Sequence, residues 1–135
     1  MIYADNAATT QLDMDAFEAM KPFLLQSYAN ASQTYFFSRD ARNALKHARQ
    51  QIAEIIGADE EEIIFTSCGT ESDNWAIKTG TSDRKHIVTS AIEHHAILNS
   101  CKTMEKLGIE VTYVPVEQNG EVNLSVLEST MTYKT

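Results

Sequence analysis

The chain has 135 residues, 43% hydrophobic and 22% charged, which excludes a disordered, collagen-like or disulfide-scaffold polypeptide and suits one domain with a single core. Nineteen acidic residues against eleven basic ones give a formal charge of −8, so no basic stripe is available for a phosphate backbone and no direct nucleic-acid binding is expected. No apolar run approaches the roughly 18 residues that span a bilayer. The start, Met1-Ile2-Tyr3-Ala4-Asp5-Asn6, lacks the basic and apolar regions of a signal peptide. Cys68 and Cys101 stand far apart without metal-ligand spacing and read as free thiols. The expectation is a cytoplasmic protein with no membrane contact and no metal site.

Residues 1–12 read as an extended arm, because Asn6-Ala7-Ala8-Thr9-Thr10 has no apolar periodicity. Asp13 is placed to cap a helix through about Ser27, with Phe17, Met20 and Leu24 at helical spacing, while Pro22 argues for a kink or a later start. The stretch from Tyr28 to Phe37 is irregular. Next comes a helix from about Ser38 to Ile56, carrying Ala41, Leu45, Ala48, Ile52 and Ile55 on one face and ending at Gly57. Glu60-Glu61-Glu62 reads as a solvated turn, residues 62–66 as a short apolar strand, and residues 71–78 as helical. A strand over 86–89, a helix over 95–107 stopped by Gly108, a strand over 110–114, a turn at Asn119-Gly120 and a helix over 124–131 complete the series. Short strands alternating with amphipathic helices predict an α/β fold with a parallel sheet.

In such sheets ligands bind beyond the carboxyl ends of the strands. The first segment in that position is Thr66-Ser67-Cys68-Gly69-Thr70-Glu71-Ser72-Asp73-Asn74. Gly69 allows close approach of the backbone, Thr70 is a candidate N-cap, and the first-turn amides with the Thr70 hydroxyl suit a phosphate or carboxylate. The competing reading is a capped strand-to-helix turn, with Asp73 completing a capping box. The second segment is Thr89-Ser90-Ala91-Ile92-Glu93-His94-His95-Ala96-Ile97-Leu98. A histidine there can stack on a planar ring or move protons, and the competing reading is a surface or capping pair. Cys68 lies in the glycine turn, whereas Cys101, inside a helix, reads as core. Tyr35-Phe36-Phe37 could line a cleft, although adjacent aromatics more often anchor a loop on the core.

Together, Tyr3-Ala4-Asp5-Asn6-Ala7-Ala8-Thr9-Thr10, then Ile64-Phe65-Thr66-Ser67-Cys68-Gly69-Thr70-Glu71-Ser72-Asp73-Asn74, then Glu93-His94-His95-Ala96-Ile97-Leu98 resemble the opening third of a cysteine desulfurase. That family is the class V branch of the pyridoxal-phosphate (PLP) aminotransferase fold. The resemblance implies a three-layer α/β/α large domain with a mostly parallel sheet, here incomplete. Residues 1–12 would be the arm of the small domain, and residues 13–135 the N-terminal part of the PLP-binding domain. Gly69 and Thr70 would hold the cofactor phosphate, and His94 would stack on the pyridine ring and move protons on the substrate. His95 is assigned no role. L-cysteine as substrate, a sulfur-acceptor protein and a homodimer of the full-length parent are implied in the same way, with iron–sulfur cluster or thio-cofactor synthesis as the destination of the sulfur.

The chain departs from the family at named places. Ser67-Cys68-Gly69-Thr70-Glu71 stands where Ser-Gly-Ala-Thr-Glu is usual, and Ala29-Asn30-Ala31 replaces Gly-Asn-Pro. Tyr35 aligns with an expected histidine. Family members are about three times longer, and their remaining part holds the Schiff-base lysine, the aspartate that pairs with the pyridinium nitrogen, and the cysteine that takes the sulfur. The family fold also sets the strand at 62–66 on the opposite sheet edge from the next two, with the strands between them in that remaining part. Another class V activity (selenocysteine lyase or aminotransferase) and a non-catalytic binding module are the alternatives.

Overall fold

The computed structural model describes residues 2–135. The chain divides into two compact units, one up to Ile64 and one from Phe65 to Thr135.

In the first unit, helix α1 spans Met14–Leu25. The Asp13 carboxylate accepts from the amides of Asp15 and Ala16 at 2.9 and 3.0 Å, which sets the helix start there rather than later. Pro22 lies inside the helix, and its carbonyl accepts from Gln26 and Ser27 at the end. Helix α2, Arg39–Ile56, follows a single tight turn, Phe36–Ser38. There the buried Ser38 hydroxyl donates to the carbonyls of Gln33 and Tyr35 at 2.6 and 2.7 Å. Arg42 donates to the Ala31 and Gln33 carbonyls, pinning the irregular segment to the first turns of α2. Gly57 adopts the left-handed conformation (φ 69°) and closes the helix.

Two expectations change in this unit, the strand at 62–66 and the anchoring of the aromatics at 35–37, and the apolar face of α2 stays open. The residues 60–62 form a tight turn, closed by the Glu62 carboxylate accepting from the Asp59 amide at 2.9 Å. Glu62 is therefore lost from the expected strand, and residues 63–66 have no ladder neighbour among the described residues. An extended segment becomes a strand only when a neighbour completes its hydrogen bonds. The apolar face of α2 is open: Leu45 and Ile52 are exposed and Ile55 is 82% exposed, while Ala53 is buried. Nor do the aromatics at 35–37 anchor their loop on a core. Phe36 is exposed beneath the Arg39 guanidinium, and Phe37 meets Tyr28 edge to face at 5.4 Å.

The second unit contains α3 (Gly69–Gly80), β1 (His86–Ser90), α4 (His95–Lys106), β2 (Glu110–Val114) and α5 (Leu124–Thr130). β1 and β2 pair in parallel, with His86 opposite Glu110 and Ser90 opposite Val114. A parallel pair requires a crossover, and α4 supplies it. Its inward face presents Ala96, Cys101 and Met104, which pack into a small core with Ile109 and Val114. Gly108 (φ 85°) stops α4 as expected. Asn123 caps α5 by accepting from Ser125 and Val126. Beyond α5 the Lys134 carbonyl accepts from the amides of Lys85 and His86, and the His86 ring bridges the Thr112 and Thr135 hydroxyls at 2.8 Å each. The fold is an incomplete α/β arrangement with two strands among the described residues.

Candidate functional site

The residues 66–74 fold into a turn that opens α3. Cys68 is the N-cap, extended at φ −169°, and its carbonyl accepts from the amides of Glu71 and Ser72. Thr70, expected as the cap, is instead the second helical residue. The expected box acid is also displaced: Glu71, not Asp73, turns back, and one of its oxygens accepts from the Ser67 amide at 2.6 Å and the Ser67 hydroxyl at 2.7 Å. The reason lies in position. Gly69 already has helical geometry, so the third helical residue is Glu71. A second side-chain bond joins the Thr66 and Ser72 hydroxyls at 2.6 Å.

This geometry sets the local electrostatics. Glu71 is held below the usual carboxylate range by the Ser67 amide first and the Ser67 hydroxyl second. The exposed Cys68 thiol is lowered chiefly by the Glu71 amide and then by the Ser67 hydroxyl. Cys101 is raised, mainly by burial and then by Glu105 and Glu93, as befits a core thiol.

His94 occupies the N-cap of α4, where its Nδ1 accepts from the Ala96 amide at 3.1 Å. An accepting Nδ1 leaves the ring neutral, with its proton on Nε2. The loop before it is tied by the Ser90 hydroxyl donating to Glu93 at 3.0 Å. His95 lies beside His94, the ring centroids 6.3 Å apart.

Packing of α3 against α4 brings Thr70 and His94 onto one open cleft of about 340 Å³, also lined by Asn74, His95, Asn99, Ser100 and Thr103. Gly69 precedes Thr70 in the chain, and a Cβ placed there would meet nothing within 4 Å. The glycine is thus not required by packing within this chain. Asn74 donates to the Thr70 carbonyl at 2.8 Å. Ser100 is 3% exposed, and its hydroxyl has no hydrogen-bond partner among the described residues. A buried unpaired hydroxyl costs about 1–3 kcal/mol, which favours a hydrogen-bonding occupant. The donors fit a PLP-like group. First-turn amides and the Thr70 hydroxyl suit a phosphate, and a neutral imidazole suits an aromatic ring. Glu71, Asn74 and Ser100 are not among the site residues expected from the sequence. Only Glu71 has a readable signal, an acid three residues after a helix cap.

Among the described residues no cluster of three or more His, Cys, Asp or Glu side chains is arranged to hold a metal ion, and no helix is long and apolar enough to cross a membrane. The Aminotransferase class-V family model matches residues 2–135. A cysteine desulfurase IscS of Dictyoglomus turgidum is 50% identical over 126 residues, covering 90% of this chain and 32% of the relative. The Homo sapiens cysteine desulfurase is 44% identical over 133 residues, covering 95% of this chain and 29% of the relative. Among solved structures, a NifS-like protein superposes with a TM-score of 0.89 at 36% identity, covering 97% of this chain and 37% of that one. The structure of SspA in complex with cysteine gives 0.90 at 36% identity, covering 98% and 40%. The chain spans about a third of the length of the curated relatives it matches. It belongs to the class-V aminotransferase family.

Proposed function

We propose that this chain is the N-terminal third of a cytoplasmic, PLP-dependent cysteine desulfurase and is not catalytically competent alone. In the full-length parent, L-cysteine is converted to L-alanine. The Cβ–S bond of the substrate breaks, and an S–S bond forms to an enzyme cysteine, leaving a persulfide for a sulfur-acceptor protein. Iron–sulfur cluster or thio-cofactor synthesis then uses that sulfur. Residues 1–12 belong to the small-domain arm and residues 13–135 to the large domain, in a homodimer of the parent.

The observation that carries the reading is the cleft shared by Thr70 and His94. Gly69 and Thr70 bind the cofactor phosphate through first-turn amides and the hydroxyl. His94 orients the ring by stacking, and its Nε2 proton is available for exchange with the substrate. PLP, when bound, supplies the electron sink for chemistry at the amino-acid carbon. The test is to incubate the full-length parent with L-cysteine and count alanine against protein-bound persulfide. Equal yields in the first turnover support the proposal, and alanine without persulfide, or neither product, overturns it.

A further inference from the structure

We infer that Glu71 is a positioning residue for the phosphate end of the cofactor site, acting through Ser67 rather than by touching the ligand. The inference rests on the phosphate-binding role proposed for Gly69 and Thr70. A carboxylate beside an anion site lowers affinity by repulsion unless it does something else there. Here it has a definite task. Its Oε2 accepts from both the amide and the hydroxyl of Ser67, at 2.6 and 2.7 Å, and so closes a loop over Cys68, Gly69 and Thr70.

A second bond, between the Thr66 and Ser72 hydroxyls at 2.6 Å, spans the same residues from outside. The Cys68 carbonyl lies between the two. It accepts from the Glu71 and Ser72 amides at 3.1 and 3.2 Å and from the Thr66 hydroxyl at 3.2 Å. These bonds fix the Cys68–Gly69 peptide plane, beside a residue whose backbone would otherwise be free to rotate. With that plane fixed and the Glu71 and Ser72 amides given to the Cys68 carbonyl, the Gly69 and Thr70 amides are the first-turn donors held in place for an anion. The ordering entropy is then not charged against binding. The downward shift of the Glu71 carboxyl agrees, because the clamp persists until pH falls through a value below the ordinary carboxylate range.

Mere helix capping would stabilise α3 but would not distinguish a ligand with a phosphate from one without. The experiment therefore measures binding of PLP and of pyridoxal, which lacks the phosphate, to the apo form of the full-length parent. Glu71→Ala, Glu71→Gln, Ser67→Ala and Thr70→Val are compared with the unaltered enzyme, with amide exchange read at Gly69 and Thr70. Expected is a loss of PLP affinity of roughly tenfold in Glu71→Ala, the scale of charge-assisted hydrogen bonds. Pyridoxal affinity stays within about twofold, and the Gly69 and Thr70 amides exchange faster. Glu71→Gln and Ser67→Ala, each keeping part of the clamp, fall between. Equal losses for PLP and pyridoxal would reduce Glu71 to a helix cap and overturn the inference. Tighter PLP binding in both Glu71 variants would make it only a repelling charge and would overturn the inference as well. If Thr70→Val lowers PLP affinity and Glu71→Ala does not, the phosphate site stands and the clamp is wrong. If Thr70→Val is silent, the phosphate site itself is wrong and the inference falls with it.

Discussion

Separating these 135 residues from the remainder of a class-V fold should leave a chain that does not persist as a cooperative monomer. The magnitude follows from its surface. Two independent globules of half this mass would together expose about 8,500 Å² by the scaling of area with mass. The chain exposes 10,545 Å². Somewhat over half of the excess of about 2,000 Å² should be apolar, and at about 25 cal/mol per Å² its burial is worth on the order of 30 kcal/mol. Net stabilities of whole domains are about 5–15 kcal/mol, so burial forgone on this scale is decisive. Named residues show where it lies: Ile55 is 82% exposed, Ile56 64%, Ile64 57%, Phe65 42% and Leu45 41%. The two-stranded sheet also leaves backbone edges unpaired. Sedimentation velocity with amide exchange is the assay. Either self-association that hides these faces, or a monomer whose α2 amides exchange within minutes, is expected. A monomer with cooperative unfolding and protected amides through α2 and residues 63–66 would refute the reasoning.

The two thiols should separate by pH and access. Iodoacetamide should modify Cys68 with a pH midpoint below the ordinary thiol value of about 8.5, because the Glu71 amide and Ser67 hydroxyl favour its thiolate. Cys101, buried and raised, should react only on unfolding, and peptide mapping of equal labelling at both positions would contradict this. Mixed with PLP at equal concentration, the 135-residue chain should give no stable yellow complex, since the family resemblance implies that the lysine fixing the aldehyde lies in the part of the relatives this chain does not cover. A stable visible band at stoichiometric PLP would contradict that and place such a lysine within the chain.

Local signals in the sequence translate faithfully into structure. Asp13 and Asn123 cap the helices they precede, and Gly57 and Gly108 end α2 and α4 in left-handed geometry. Each depends on residues within one turn of one another. What the sequence does not show depends on distance along the chain. Residues 63–66 have strand composition, but strand identity is a property of paired strands, and no strand pairs with them among the described residues. The apolar stripe of α2 is legible as a stripe, yet a stripe does not say what covers it. At the site, Thr70 and His94 are legible as two motifs, and the packing of α3 on α4 joins them on one cleft. The cap lies two residues before the expected one because Cys68 is an unusual cap type, and the stabilising bond comes from Glu71 within the helix.

The central claim is that Thr70 and His94 serve one PLP pocket by different means, and cofactor retention in the full-length parent tests it most directly. Thr70→Val removes a hydroxyl donor to a charged phosphate, a loss of about 1.5–3 kcal/mol, or roughly tenfold to a hundredfold in PLP affinity. His94→Ala removes the stacked ring, so the bound cofactor's absorbance should shift and turnover should fall along with retention. The expected result is weakened retention in both variants, with the spectral shift confined to His94→Ala. Unaltered cofactor occupancy, spectrum and turnover in both would contradict the claim.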